Sequence, residues 1–163
     1  LDYFLQTWLA ELEGELAAGV DASLPAEQRA GQLAEVLSAS LAARPVLCDL
    51  FGAQGDVLEH NVTLEVAKRH KRASLDALAT LTGLVHGRLP ELGDNAQAFC
   101  LHAMLLASGL SAYFPPPAVL LAVYEADPSL ATLGSDLRDA LRQGLDAALL
   151  GTLPRAEARG RQR

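Results

Sequence analysis

Proline placement constrains this chain more than any other feature. The eight prolines stand at positions 25, 45, 90, 115–117, 128 and 154, each at a joint or a first helical turn. Proline has no amide donor and its ring clashes with the preceding turn, so it suits a helix start and breaks a helix interior. The stretches between the prolines are rich in Ala and Leu, with apolar residues recurring at three- and four-residue spacing. Half of the 163 residues are hydrophobic yet only 5% are aromatic, and β-branched residues are few. That composition favours helix over sheet. The expectation is an all-α chain of about seven helices in one domain, 1–153, with a polar, basic tail over 154–163.

The first helix covers 1–18, with Tyr3 or Phe4, Trp8, Leu12 and Leu16 on its buried stripe. Ser23 is the expected N-cap of a second helix, with Pro25 in its first turn and Leu33, Val36 or Leu37, and Leu41 facing inward. Pro45 opens a third, 45–58. A fourth, from Val62 to Leu89, would be roughly 40 Å long. Its broad apolar sector includes Leu64, Ala67, Lys71, Leu75 or Leu78, Thr82 and Val85, as a central helix with several neighbours requires. The fifth, from about Asp94 to Phe114, is almost wholly apolar beyond Ala98 and suits a deep core or a subunit interface. A short helix, 118–126, follows the triple proline. The last, from about Ser129 to Leu153, presents Leu130, Leu133, Leu137, Leu141, Leu145 and Ala148 on one face.

The formal net charge of −7 argues against nucleic-acid binding by this segment itself, because phosphate binding needs a basic surface. Cys48 and Cys100 are isolated and suit reduced, buried thiols in a cytoplasmic protein. The opening segment is acidic and amphipathic, unlike a secretory signal, and Asn61-Val62-Thr63 is taken as a chance sequon. No membrane span is expected. No nucleophile elbow, phosphate loop or zinc-binding helix signature is present, so catalysis, metal and cofactor are all left out of the expected function. Because Leu1 falls in mid-pattern, an upstream segment is expected.

The densest polar chemistry lies at the joint before the fourth helix, Leu58-Glu59-His60-Asn61-Val62-Thr63-Leu64-Glu65. Asn61 or Thr63 can cap that helix, and Glu65 suits the positive end of its dipole. The same joint places Glu59, His60 and Asn61 at the mouth of a bundle, where they can line a cavity. Lys71 falls on the core stripe and would need a carboxylate, with Glu59 the candidate. His102, in the middle of the most apolar helix, is either a satisfied core histidine or a donor facing a ligand. Trp8, Phe51, Phe99 and Tyr113 are core residues by default, and some of them can wall an apolar pocket. The candidate ligand-binding set is therefore Trp8, Phe51, Glu59, His60, Asn61, Lys71, Phe99 and His102.

Arg44-Pro45-Val46-Leu47-Cys48-Asp49-Leu50, then Leu58 to Glu65, then Lys71 resemble a bacterial subgroup of TetR-family transcriptional regulators. That subgroup carries Arg-Pro-x-Leu-Cys-Asp-Leu followed by Leu-Glu-His-Asn-Val-Ser/Thr-x-Glu and a later Lys. The resemblance extends over the helix succession from Leu1 to about Leu153 and corresponds to the C-terminal domain. It implies a helical bundle that dimerises through a four-helix interface, here about 94–114 and 129–152 of each subunit. It also implies an effector pocket near the starts of the third and fourth helices.

The family's N-terminal helix-turn-helix unit lies outside these residues, so operator DNA would be reached only through that missing unit. The expected function is effector binding and homodimerisation in a regulator, most simply a repressor, with a small, mostly apolar effector. Ligand would favour a dimer geometry in which the recognition helices no longer match successive major grooves, with the 1–18 helix as the link. The alternative is a stand-alone helical dimeric ligand-binding module with no DNA role.

Overall fold

The chain folds between its prolines much as the spacing predicts. The computed structural model describes residues 2–58, 62–131 and 136–154. Within them lie α1 (Asp2–Gly19), α2 (Ala26–Ala42), α3 (Pro45–Leu58), α4 (Leu64–Arg88), α5 (Ala96–Ser111), α6 (Ala118–Ala126) and α7 (Leu137–Thr152). Short 3-10 turns at Pro90–Asn95 and Pro128–Leu130 precede α5 and follow α6. Five helices close a circuit: α1 on α2, α2 on α7, α7 on α5, α5 on α4, and α4 back on α1. Helix α3 packs mainly against α5. Among the described residues, the inward stripes of α1, α2, α4, α5 and α7 are thereby given neighbours.

The core runs through Leu12 and Leu16 of α1, Leu33 and Leu37 of α2, Val85 of α4, Phe99 of α5 and Leu141 and Leu145 of α7. The α1 stripe begins at Leu5, then follows Trp8, Leu9, Leu12 and Leu16, and the expected Tyr3 and Phe4 are 77% and 48% exposed. Leu5 is one turn before Leu9, so the same periodicity continues without the two aromatics. Two close approaches depend on glycine: a Cβ at Gly52 would lie 2.8 Å from the Ser108 hydroxyl of α5, and one at Gly144 would lie 2.6 Å from Leu106. Gly93, at φ 51°, makes the left-handed turn that redirects the chain into α5.

Three local expectations are corrected. Ser23 does not cap α2; its amide and hydroxyl both donate to Asp21 Oδ1, at 2.9 and 2.7 Å, closing a turn instead. Helix α7 begins at Leu137, where Asp136 accepts the Arg138 amide at 3.0 Å. Leu130 sits in the 3-10 turn begun by Asp127-Pro128 and is 51% exposed, while Leu133 lies outside the described residues. The expected cap of α4 is met by Thr63, which accepts the Val66 amide at 3.4 Å.

The buried Arg29 was not foreseen. Its guanidinium donates to the Leu24 carbonyl at 2.9 Å, to the Arg88 carbonyl at 2.8 Å and to the Glu91 carboxylate. One side chain thus ties the start of α2 to the end of α4, where free carbonyls need donors.

Candidate functional site

Helix α2 must stop before Pro45, and the backbone disfavours a helical residue immediately before a proline. Arg44 fills that position and folds its side chain back onto α2, donating to the Ser40 carbonyl at 2.6 Å and the Ser40 hydroxyl at 2.9 Å. Its other nitrogen donates to Glu11 and, at 3.0 Å, to Glu15 on α1. Burial works against the Arg44 charge, but its hydrogen bonds to the Glu11 and Glu15 carboxylates outweigh that and hold the guanidinium above its ordinary pKa. The Ser40 hydroxyl also accepts the Trp8 indole N–H at 3.0 Å. Trp8, Ser40, Arg44 and the two glutamates therefore form one network joining α1 to the α2–α3 joint.

Beside this network lies a pocket of about 300 Å³. Tyr3, Phe4, Thr7 and Trp8 of α1 form one wall, and residues 43–47 of the joint form the other. Small-molecule sites span roughly 300–1,000 Å³, so this one suits a small ligand. Its surface is mainly aromatic and aliphatic, since Arg44 is already committed to carboxylates. Phe51, one turn beyond Leu47, meets the Trp8 ring edge-on with centroids 6.2 Å apart and supports it from behind.

A longer groove, about 510 Å³, runs along the first half of α4 and is lined there by Glu65, Lys68, Arg69, Arg72 and Asp76 with Val66 and Ala73. Both signs of charge face it, and Lys68 pairs with Glu65 at 3.3 Å. It has the character of a solvated helix face. Among the described residues, no three His, Cys, Asp or Glu side chains group in a way that could hold a metal ion.

The candidate residues separate on this frame. Trp8 and Phe51 are brought together at the pocket, and Phe99 is buried in the core at 2% exposure. Glu59, His60 and Asn61 lie outside the described residues, as does half of the expected Glu59–Lys71 pair. Lys71 is exposed rather than on a packed stripe. Helix α4 is 25 residues long, against 18 and 16 for its neighbours α1 and α5, and its fully buried residues begin only at Ala77. His102 is also exposed and is not a core histidine. The inward face of α5 falls on Ala96, Phe99, Cys100, Ala103 and Ala107, which turns 102 outward. Tyr3, Phe4 and Val46 were not anticipated at the pocket; their cue was an exposed aromatic pair and the Arg-Pro joint.

Both thiols are free and fully buried, and burial pushes Cys48 up to about 11 and Cys100 up to about 12. Neither is a nucleophile near neutral pH. No single helix among the described residues is long and apolar enough to cross a membrane; the bent pair Ala26–Ala42 and Pro45–Ala53 passes on length and composition only.

No curated protein matches the chain. The family described as "Tetracyclin repressor-like, C-terminal domain" matches residues 3–156, nearly the whole length and every helix described above. The helical circuit, the α1–α3 pocket and this match have one reading: the chain belongs to the tetracyclin repressor-like C-terminal domain family.

Proposed function

We propose that this chain is the sensing and dimerisation domain of a TetR-type transcriptional repressor working in the cytoplasm. Family membership supports an effector-binding and dimerisation domain of a regulator. The observation that carries the sensing role is the pocket between the start of α1 and the start of α3, walled by Trp8 and braced by Phe51. Its aromatic lining favours a small, mostly apolar effector. Trp8, Tyr3, Phe4 and Val46 are the contacts we assign to it, with Phe51 bracing Trp8, and Glu59, His60 and Asn61 are kept as polar candidates from their place in the sequence alone. Phe99 is buried in the core, and Phe99, Lys71 and His102 are left out of the pocket.

The proposed mechanism is a population shift. A ligand seated beside Trp8 would bear on the first turns of α1, and α1 is held to the α2–α3 joint through Ser40 and Arg44. Tilting α1 would re-aim a DNA-binding unit joined to its start. Homodimerisation through α5 and α7 would convert that tilt into a change of half-site spacing, which must stay near 34–36 Å for two recognition helices to enter successive major grooves.

The test uses this domain joined at its start to a TetR-type DNA-binding unit with a known operator, and a ligand found by thermal-shift screening. Saturating ligand is expected to weaken operator binding by about 5–150-fold, the usual range of allosteric coupling. Operator affinity unchanged at saturation would contradict the repressor reading and favour a ligand-binding module without a DNA role.

A further inference from the structure

Among the described residues, α6 leaves an apolar face exposed. Helix α6, Ala-Val-Leu-Leu-Ala-Val-Tyr-Glu-Ala, contains no buried residue. Val119 is 70% exposed, Leu120 40%, Leu121 45% and Val123 38%. Among the described residues, its most extensive packing is on the 3-10 turn Pro128–Leu130, so α6 stands off the helical circuit as an arm. A nine-residue helix is far too short to be stable alone in water, and an exposed aliphatic face of this kind marks a contact surface.

We infer that α6 is an arm exchanged between two copies of this chain, packing on the outward face of the partner's α5. That face carries Leu101 and Leu105, one turn apart and 44% and 61% exposed, and Tyr113, just past the end of the helix, is 63% exposed. Charge distribution selects a second copy as the occupant. No Asp, Glu, Lys or Arg lies between Asp94 and Glu125, although one residue in five of the chain is charged. In a two-fold interface a patch meets its own copy, so a charge near the axis faces a like charge, and a charge-free patch avoids that penalty.

A lipid surface is disfavoured by the same run, which has no Lys or Arg and is bounded by Asp94, Glu125 and Asp127. The cleft at the elbow between α5 and α6, lined by Tyr113, Phe114, Pro116, Leu120 and Tyr124, is about 190 Å³. That is below the usual small-molecule range but takes one or two apolar side chains. Helix α7 offers less to a partner than its sequence suggests, because Leu137, Leu141, Leu145 and Leu149 are all consumed in the subunit's own core. The arm supplies apolar surface that α7 does not.

This inference rests on the homodimer reading, and the experiment separates the two. A photo-crosslinking phenylalanine analogue replaces Val119 in the full chain, and isotopically heavy and light copies are mixed before irradiation. The expected result is sedimentation as a dimer, with heavy-to-light crosslinks from 119 to the 96–113 peptide. A dimer whose crosslinks from 119 stay within one copy overturns the arm and leaves the dimer. A monomer at all concentrations overturns both. A second readout is V119E combined with L120E, both at exposed positions. It is expected to raise the dimer dissociation constant at least about tenfold while preserving helical content, the loss of one interfacial hot spot. An unchanged dissociation constant overturns the arm.

Discussion

Replacing Ser40 with alanine removes one hydroxyl, and the structure specifies what that hydroxyl holds. It accepts the Trp8 indole N–H at 3.0 Å and an Arg44 N–H at 2.9 Å, with Ser40 itself 3% exposed. Arg44 keeps the Ser40 carbonyl and two glutamates, so the orphan is the Trp8 donor. A buried donor left without an acceptor costs about 1–3 kcal/mol. Alanine recovers roughly 0.5 kcal/mol through its higher helix propensity. The net loss is therefore about 0.5–2.5 kcal/mol, or a fall of about 1–10 °C in Tm for a domain of this size. Chemical and thermal denaturation followed by the fluorescence of Trp8, the only tryptophan, measures it directly. A cycle with Trp8→Phe should give a coupling of about 1 kcal/mol, because phenylalanine has no N–H to orphan. A Tm within about 1 °C of the parent, with no coupling to Trp8→Phe, would refute the network as the brace of α1.

Leu141→Ala should cost about 2–5 kcal/mol in denaturant unfolding, because this leucine is fully buried between α7 and its neighbours. Asp136→Ala removes the acceptor at the start of α7 and should cost about 0.5–2 kcal/mol by the same assay. The Glu91 carboxyl is held below its ordinary pKa chiefly by the hydrogen bond from Arg29. Its folded pKa is depressed, so its contribution is complete above the ordinary glutamate range and is lost as pH falls through the folded value. Melts of parent and Glu91→Gln should differ by a constant amount above about pH 5 and converge toward acid, whereas a difference that grows on acidification would reverse the sign. Cys48 and Cys100, pushed up to about 11 and about 12, should resist a thiol reagent at neutral pH until the chain unfolds. Rapid labelling of folded protein would contradict their burial.

The fold was legible because its signals are local. Prolines set the joints, and the spacing of Leu12, Leu16, Leu33 and Leu37 set the faces. Thr63 was readable as a cap because capping is decided within one turn. What misled was whatever depends on how far neighbours reach. The wheel of α4 places Lys71 beside Ala67, but it does not tell that α4 overhangs α1 and α5, so Lys71 reaches solvent. His102 lies among apolar residues in sequence, yet two angular sectors of α5 are apolar and only one faces the subunit's core. Arg29 meets Arg88 and Glu91 across the fold, a pairing no local pattern encodes. The pocket was half visible: Trp8 and Phe51 stood out as scarce aromatics, whereas Val46 became a wall only once Pro45 had turned the chain.

The central claim is that a ligand is sensed beside Trp8 and reported through α1. Titrating the chain with a thermal-shift hit while recording Trp8 emission tests it most directly. Emission should change with the same Kd that accounts for the stabilisation, about 2.7 kcal/mol at a hundredfold excess over Kd, and both responses should be lost in Val46→Glu. A ligand that stabilises the chain fully, leaves Trp8 emission unchanged and binds Val46→Glu equally well would contradict the account.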